Sequence, residues 1–95
     1  MLHYSYNPIP CADDIPLISV WEDKDNLGVY YATTGGVLPD CEYQTDGRGS
    51  ILGALTALHC DQWSGKLDGL NPAINWEYHI IRTLMDYQYA TRTDH

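Results

Sequence analysis

Strand signals and helix signals occupy separate halves of this chain. Segments rich in β-branched and aromatic residues end before residue 46, and segments of helical periodicity begin after residue 50. Strands first and helices second predict an α+β fold: a small antiparallel β-sheet of two to four strands, followed by two α-helices packed on one face. At 95 residues the chain is one domain with a thin core.

The clearest strand pair is 17–21 (LISVW) with 29–33 (VYYAT), joined by the polar run Glu22 to Gly28. β-branched and aromatic runs around a polar connection read as a hairpin. Thr34, Gly35 and Gly36 end its second strand. A third strand is expected at 41–45, with Pro39 at its start or pushing it to an edge. Residues 1–16 contain Pro8, Pro10 and Pro16. They read as an extended N-terminal arm with a short edge strand near 2–6. The sheet region is thus 17–45.

Ser50 is placed to cap a helix over 50–63, with Ile51, Leu55 and Leu58 on one stripe and Gly53, Ala57 and Cys60 on a small-residue flank. Ser64 and Gly65 stop it. Asn71 and Pro72 then read as N-cap and first helical residue of a second helix over 72–90. Its wheel has two apolar ridges: Ile74, Tyr78, Ile81 and Met85, and Trp76, Ile80, Leu84 and Tyr87. His79, Arg82, Thr83 and Asp86 form its polar face. The apolar arc spans roughly 220°, wider than a surface helix needs. It reads as a central core helix, with part of the arc left for another chain as the alternative.

The three cysteines, Cys11, Cys41 and Cys60, have no metal-binding spacing, and reduced, buried thiols are expected. No metal and no cofactor is expected. Asp23, Asp25 and Gly28 begin like a calcium loop, but Leu27 stands where an oxygen ligand is required and Thr34 where a bidentate Glu is. No nucleophile, base and orienting group converge in the sequence, and Gly47, Arg48 and Gly49 lack a phosphate-loop pattern. The expectation is a protein that is not an enzyme, with no catalytic residues.

Charge narrows the partner classes. Thirteen acids against five bases give a net charge of −8. Phosphates would be repelled, so direct binding of nucleic acid is not expected, nor is attachment to an anionic membrane. No apolar run approaches the ~18 residues of a span, and the first ten residues lack a signal-peptide pattern. The expected location is the cytoplasm.

Residues 18–32, the Leu38, Pro39, Asp40, Cys41 element and the capped helix from Ser50 to Leu58 together resemble the start of HicB-type antitoxins. The resemblance covers residues 17–60. It implies a partial ribonuclease-H-like βββα unit without catalytic carboxylates, acting by binding a toxin. Asp40 stands where that family usually has Gly, and the helix lacks an acidic start.

Excess acid without catalytic residues fits a small inhibitor that occupies the basic nucleic-acid-binding groove of another protein. Anti-CRISPR proteins and antitoxins share this design. The expected contact residues are Glu22, Asp23 and Asp25 at the hairpin tip, Trp21, Tyr30 and Tyr31 beside it, and Asp40 and Glu42 near the third strand. Strand geometry would space successive tip carboxylates ~6–7 Å apart, close to the phosphate interval of a strand. The alternative is an assembly protein, forming a homodimer or larger homo-oligomer through its last helix. Salt weakens the first mode and not the second.

Overall fold

The computed structural model describes residues 2–6, 17–35, 41–70 and 74–93. The elements run β1 (Leu2–Tyr6), β2 (Ile18–Glu22), β3 (Tyr30–Thr34), β4 (Tyr43–Gln44), α1 (Ile51–Trp63) and α2 (Trp76–Thr93). The four strands form one antiparallel sheet in chain order. This is the expected α+β arrangement. Each hairpin strand begins and ends one residue later than the sequence reading placed it, and the third expected strand shortens to two residues.

Strand alternation decides what each face carries. Val20 pairs with Tyr4 and Ala32, and Ile18 with Tyr6 and Thr34. These residues face the helices. Ile18, Val20 and Ala32 join Ala54, Leu55 and Leu58 of α1, Leu67 of the connection, and Trp76 and Ile80 of α2 in one buried cluster. The Trp76 indole keeps its polar atom satisfied by donating to the Leu70 carbonyl at 2.8 Å, which fixes the α1–α2 connection.

The ends of α1 follow local chemistry. Ser50 Oγ accepts from the Gly53 N–H at 2.9 Å, so one orphan donor of the first turn is paired. Gly65, at φ 84°, takes the left-handed conformation that ends the helix. Only part of the small-residue flank enters the core. Ala57 is buried, but Cys60 is exposed. At 100° per residue Cys60 lies about 140° from the centre of the buried arc set by Ala54, Leu55, Ala57 and Leu58. Cys41 is half-buried, and Cys11 lies outside the described residues.

The second helix starts later than expected. Asn71 and Pro72 lie outside the described residues, and the first helical residue is Trp76. Asn75 is the cap: its side chain accepts from the Tyr78 N–H and its carbonyl from the His79 N–H, both at 3.1 Å. Glu77 in the first turn favours this start, since an acidic side chain complements the positive end of the helix. The expected polar face is also corrected. Thr83 is fully buried and His79 is half-buried. The Thr83 hydroxyl donates to the His79 carbonyl at 2.6 Å, so its burial leaves no donor unpaired, and the His79 ring meets Tyr6 and Tyr78.

Tyrosine hydroxyls tie the sheet to both helices. Tyr4 donates to Asp86 of α2 and Tyr43 to Asp61 of α1, each at 2.6 Å. Tyr4 also meets Tyr87 edge to face at 5.5 Å. Partial burial and the adjacent carboxylates both favour the neutral phenol. The Tyr43 hydroxyl is pushed from 10.0 up to about 12, with burial the larger cause and Asp61 the next. Tyr4 moves in the same direction for the same two reasons, burial and Asp86. A phenol whose pKa is raised on folding stabilises fully below its unfolded value and loses that contribution as pH climbs through the folded one. Stability is therefore expected to fall between pH 10.0 and about pH 12. Tyr43→Phe is expected to be less stable at neutral pH and to show a shallower alkaline decline, measured as urea midpoints across that window. Parallel curves for the two proteins would contradict the assignment.

Candidate functional site

The face of the sheet turned away from the helices carries a different set of side chains. Trp21 and Tyr31 are cross-strand partners on that face, and Ser19 and Thr33 form the next row. The Trp21 indole donates to Thr33 Oγ1 at 2.9 Å, which fixes the ring along the sheet. Asp23 continues the same alternation beyond the strand end, and its Oδ2 accepts from the Tyr31 hydroxyl at 2.7 Å.

The β2–β3 connection is a hydrogen-bonded turn. Asp23 Oδ1 accepts from the Asp25 N–H at 2.8 Å, Glu22 Oε2 accepts from the Gly28 N–H at 2.8 Å, and the Asp23 N–H donates to the Val29 carbonyl at 2.8 Å. Gly28 takes φ 92°, open to glycine at little cost. Residues 24–28 are exposed, Leu27 at 76%. The N–H donated by Asp25, followed by the Tyr31 hydroxyl, holds the Asp23 carboxyl below the usual carboxylate range. Asp23 is thus a fixed negative charge at the base of the tip. The same contact raises Tyr31, keeping it a neutral donor.

The turn corrects the expected spacing of the acids. Asp23 and Asp25 lie in a turn closed by their own side-chain bond, so the strand interval does not apply between them. A match to phosphate spacing therefore has no geometric basis here.

The expected contact residues do not all meet. Glu22, Asp23, Asp25, Trp21 and Tyr31 come together at the tip. Tyr30 pairs with Glu22 at this same end of the hairpin but points to the helix side, packs on the core cluster, and forms a backbone bridge with Arg48 through bonds of 2.7 and 2.8 Å. Glu42 lies at the far end of β3, where its N–H donates to the Thr34 carbonyl at 2.9 Å. The length of β3 separates that end from the tip, about 13 Å. Asp40 lies outside the described residues.

Sequence reasoning missed the return of the chain at residues 46–48. Asp46 and Arg48 are exposed there, with Gly47 between them. A Cβ at Gly47 would stand 2.5 Å from Val29 Cγ1 and 3.3 Å from Tyr31 Cε1. Glycine is what lets this segment pass against the hairpin. The available signal was a glycine between two charged residues after a strand, which also reads as a simple strand end. Gly47→Ala is expected to cost about 1–3 kcal/mol through overpacking. A melting temperature equal to that of the unchanged protein would contradict this close approach.

Among the described residues no group of three or more His, Cys, Asp or Glu side chains could hold a metal ion, and no helix is long and apolar enough to cross a membrane. Comparison of the chain with protein-family models, with curated proteins and with solved structures gives no match.

Proposed function

We propose that this chain is a small acidic inhibitor that acts by binding, not catalysis. In this reading it occupies the basic groove with which another protein holds nucleic acid. The observation that carries the reading is the hairpin tip: an exposed turn in which Asp23 is held ionised and Glu22 is fixed by Gly28. Trp21 and Tyr31 lie beside it on the helix-free face. Fixed charge lowers the ordering cost of binding, and a partly exposed Trp–Tyr pair supplies the type of anchor found at binding hot spots. The net charge of −8 adds long-range attraction toward a cationic partner.

The HicB-type resemblance and the anti-CRISPR-like design are two versions of this one mechanism, differing in the partner. The test is capture from a lysate of the native host on the immobilised protein, at low and at high salt, followed by purification of what is retained. The expected result is a salt-sensitive partner that binds nucleic acid alone and releases it when the acidic protein is added. A partner that binds equally at all salt concentrations and keeps its nucleic acid would overturn the reading. The protein by itself is expected to bind neither DNA nor RNA at near-physiological salt, and micromolar binding in an anisotropy titration would contradict that.

A further inference from the structure

The second helix has two opposite sides, and only one is used by the fold. Trp76, Ile80 and Thr83 are buried against the rest of the chain. Tyr78, Ile81, Met85 and Tyr89 are exposed, Met85 at 56% and Tyr89 at 71%. Steps of three and four residues put these four on a single stripe, diametrically across the helix from the buried set. Solvated helix surfaces seldom carry four large apolar residues in line, and such a patch marks an interaction surface.

Charge selects the occupant. α2 carries Glu77 and Asp86 against Arg82 and Arg92, so the helix is neutral and the whole of the −8 lies elsewhere in the chain. A second copy of so acidic a protein is repelled from most of the surface, and this helix is where two copies meet without repulsion. A basic partner is drawn to the other elements instead. The stripe is also self-complementary. Arg82 and Asp86 sit on the same flank of it and, with Met85 and Tyr89, line one shallow groove. In an antiparallel pair with a twofold axis at the level of residues 83–84, that flank meets its own copy. Tyr78 then lies opposite Tyr89, and Arg82 opposite Asp86, twice by symmetry. The Tyr4 hydroxyl on Asp86 Oδ2 orients this carboxylate, and a carboxylate has further acceptor sites for an arginine.

We infer that two copies of this chain associate through antiparallel α2 helices, with Tyr78, Ile81, Met85 and Tyr89 as the buried stripe and reciprocal Arg82–Asp86 pairs on its flank. The inference is independent of the hairpin reading, and a protein altered only at the tip would still dimerise.

Sedimentation equilibrium from micromolar to submillimolar protein tests it. The expected result is a reversible monomer–dimer equilibrium. Met85→Asp is expected to abolish the dimer without lowering the melting temperature of the monomer, because Met85 is exposed. Arg82→Glu and Asp86→Lys are each expected to weaken self-association about tenfold, since each places two like-charge contacts at the interface. Mixing the two variants is expected to restore association, because every crossed pair is then attractive. A monomer at every concentration would overturn the inference, as would a dimer that survives Met85→Asp. A mixture that associates no better than its components would overturn the antiparallel register. Asp86→Lys also removes the Tyr4 bond, so the Met85→Asp and Arg82→Glu results decide the question should that variant fold poorly.

Discussion

Truncating Ile80 to alanine is expected to destabilise the protein by about 2–5 kcal/mol, the range for deleting a branched aliphatic side chain from a packed interior. Ile80 is fully buried and joins α2 to the cluster built by Ile18, Val20, Leu55 and Leu58. Little in so small a core can shift to fill the space. A domain of this size loses roughly 4–8 °C per kcal/mol, so the change is visible in a simple melt. Met85→Ala, on the opposite side of the same helix, is expected to stay within about 0.5 kcal/mol in dilute monomer. Equal effects at the two positions would mean that α2 is rotated relative to its place in this fold.

The second large effect belongs to the hairpin. Glu22→Gln, Asp23→Asn and Asp25→Asn together remove three charges. Each amide keeps a side-chain oxygen, so position 23 still offers the turn an acceptor. An unchanged melting temperature checks that the turn is intact. Association with the captured partner is expected to slow about tenfold or more at low salt, since steering between complementary surfaces changes on-rates by ~10–10³. The difference should shrink as salt is added, while dissociation changes less. An unchanged on-rate at every salt concentration would remove the tip from the mechanism.

Much of the fold was legible because each element carried its own local signal. Ser50 and Gly65 marked both ends of α1, and the polar run between 21 and 29 marked the hairpin. The orientation of α2 was not legible. Two apolar ridges of equal quality left the choice to tertiary contacts, and the tyrosines of β1 made it by taking His79 and Tyr87 as neighbours. The exposure of Cys60 followed from the same limit, since a small residue on a flank looks alike whether it meets a neighbour or solvent.

The candidate site was legible in its composition and not in its geometry. The acids at 22, 23 and 25 and the aromatics at 21 and 31 do converge at the tip. Alternation across β3 sends Tyr30 to the core side, and strand direction carries Glu42 to the opposite end. Tyr31 as the partner of Asp23 required knowing the register, which composition does not contain.

Competition between the acidic tip and nucleic acid for a basic groove is read out by displacement. A labelled oligonucleotide is bound to the captured partner, and its anisotropy is followed as the acidic protein is added. Stoichiometric release is expected at low salt, weaker release at high salt, and little release by the protein with all three tip acids replaced by amides. Persistent anisotropy while the acidic protein binds in a ternary complex would contradict it.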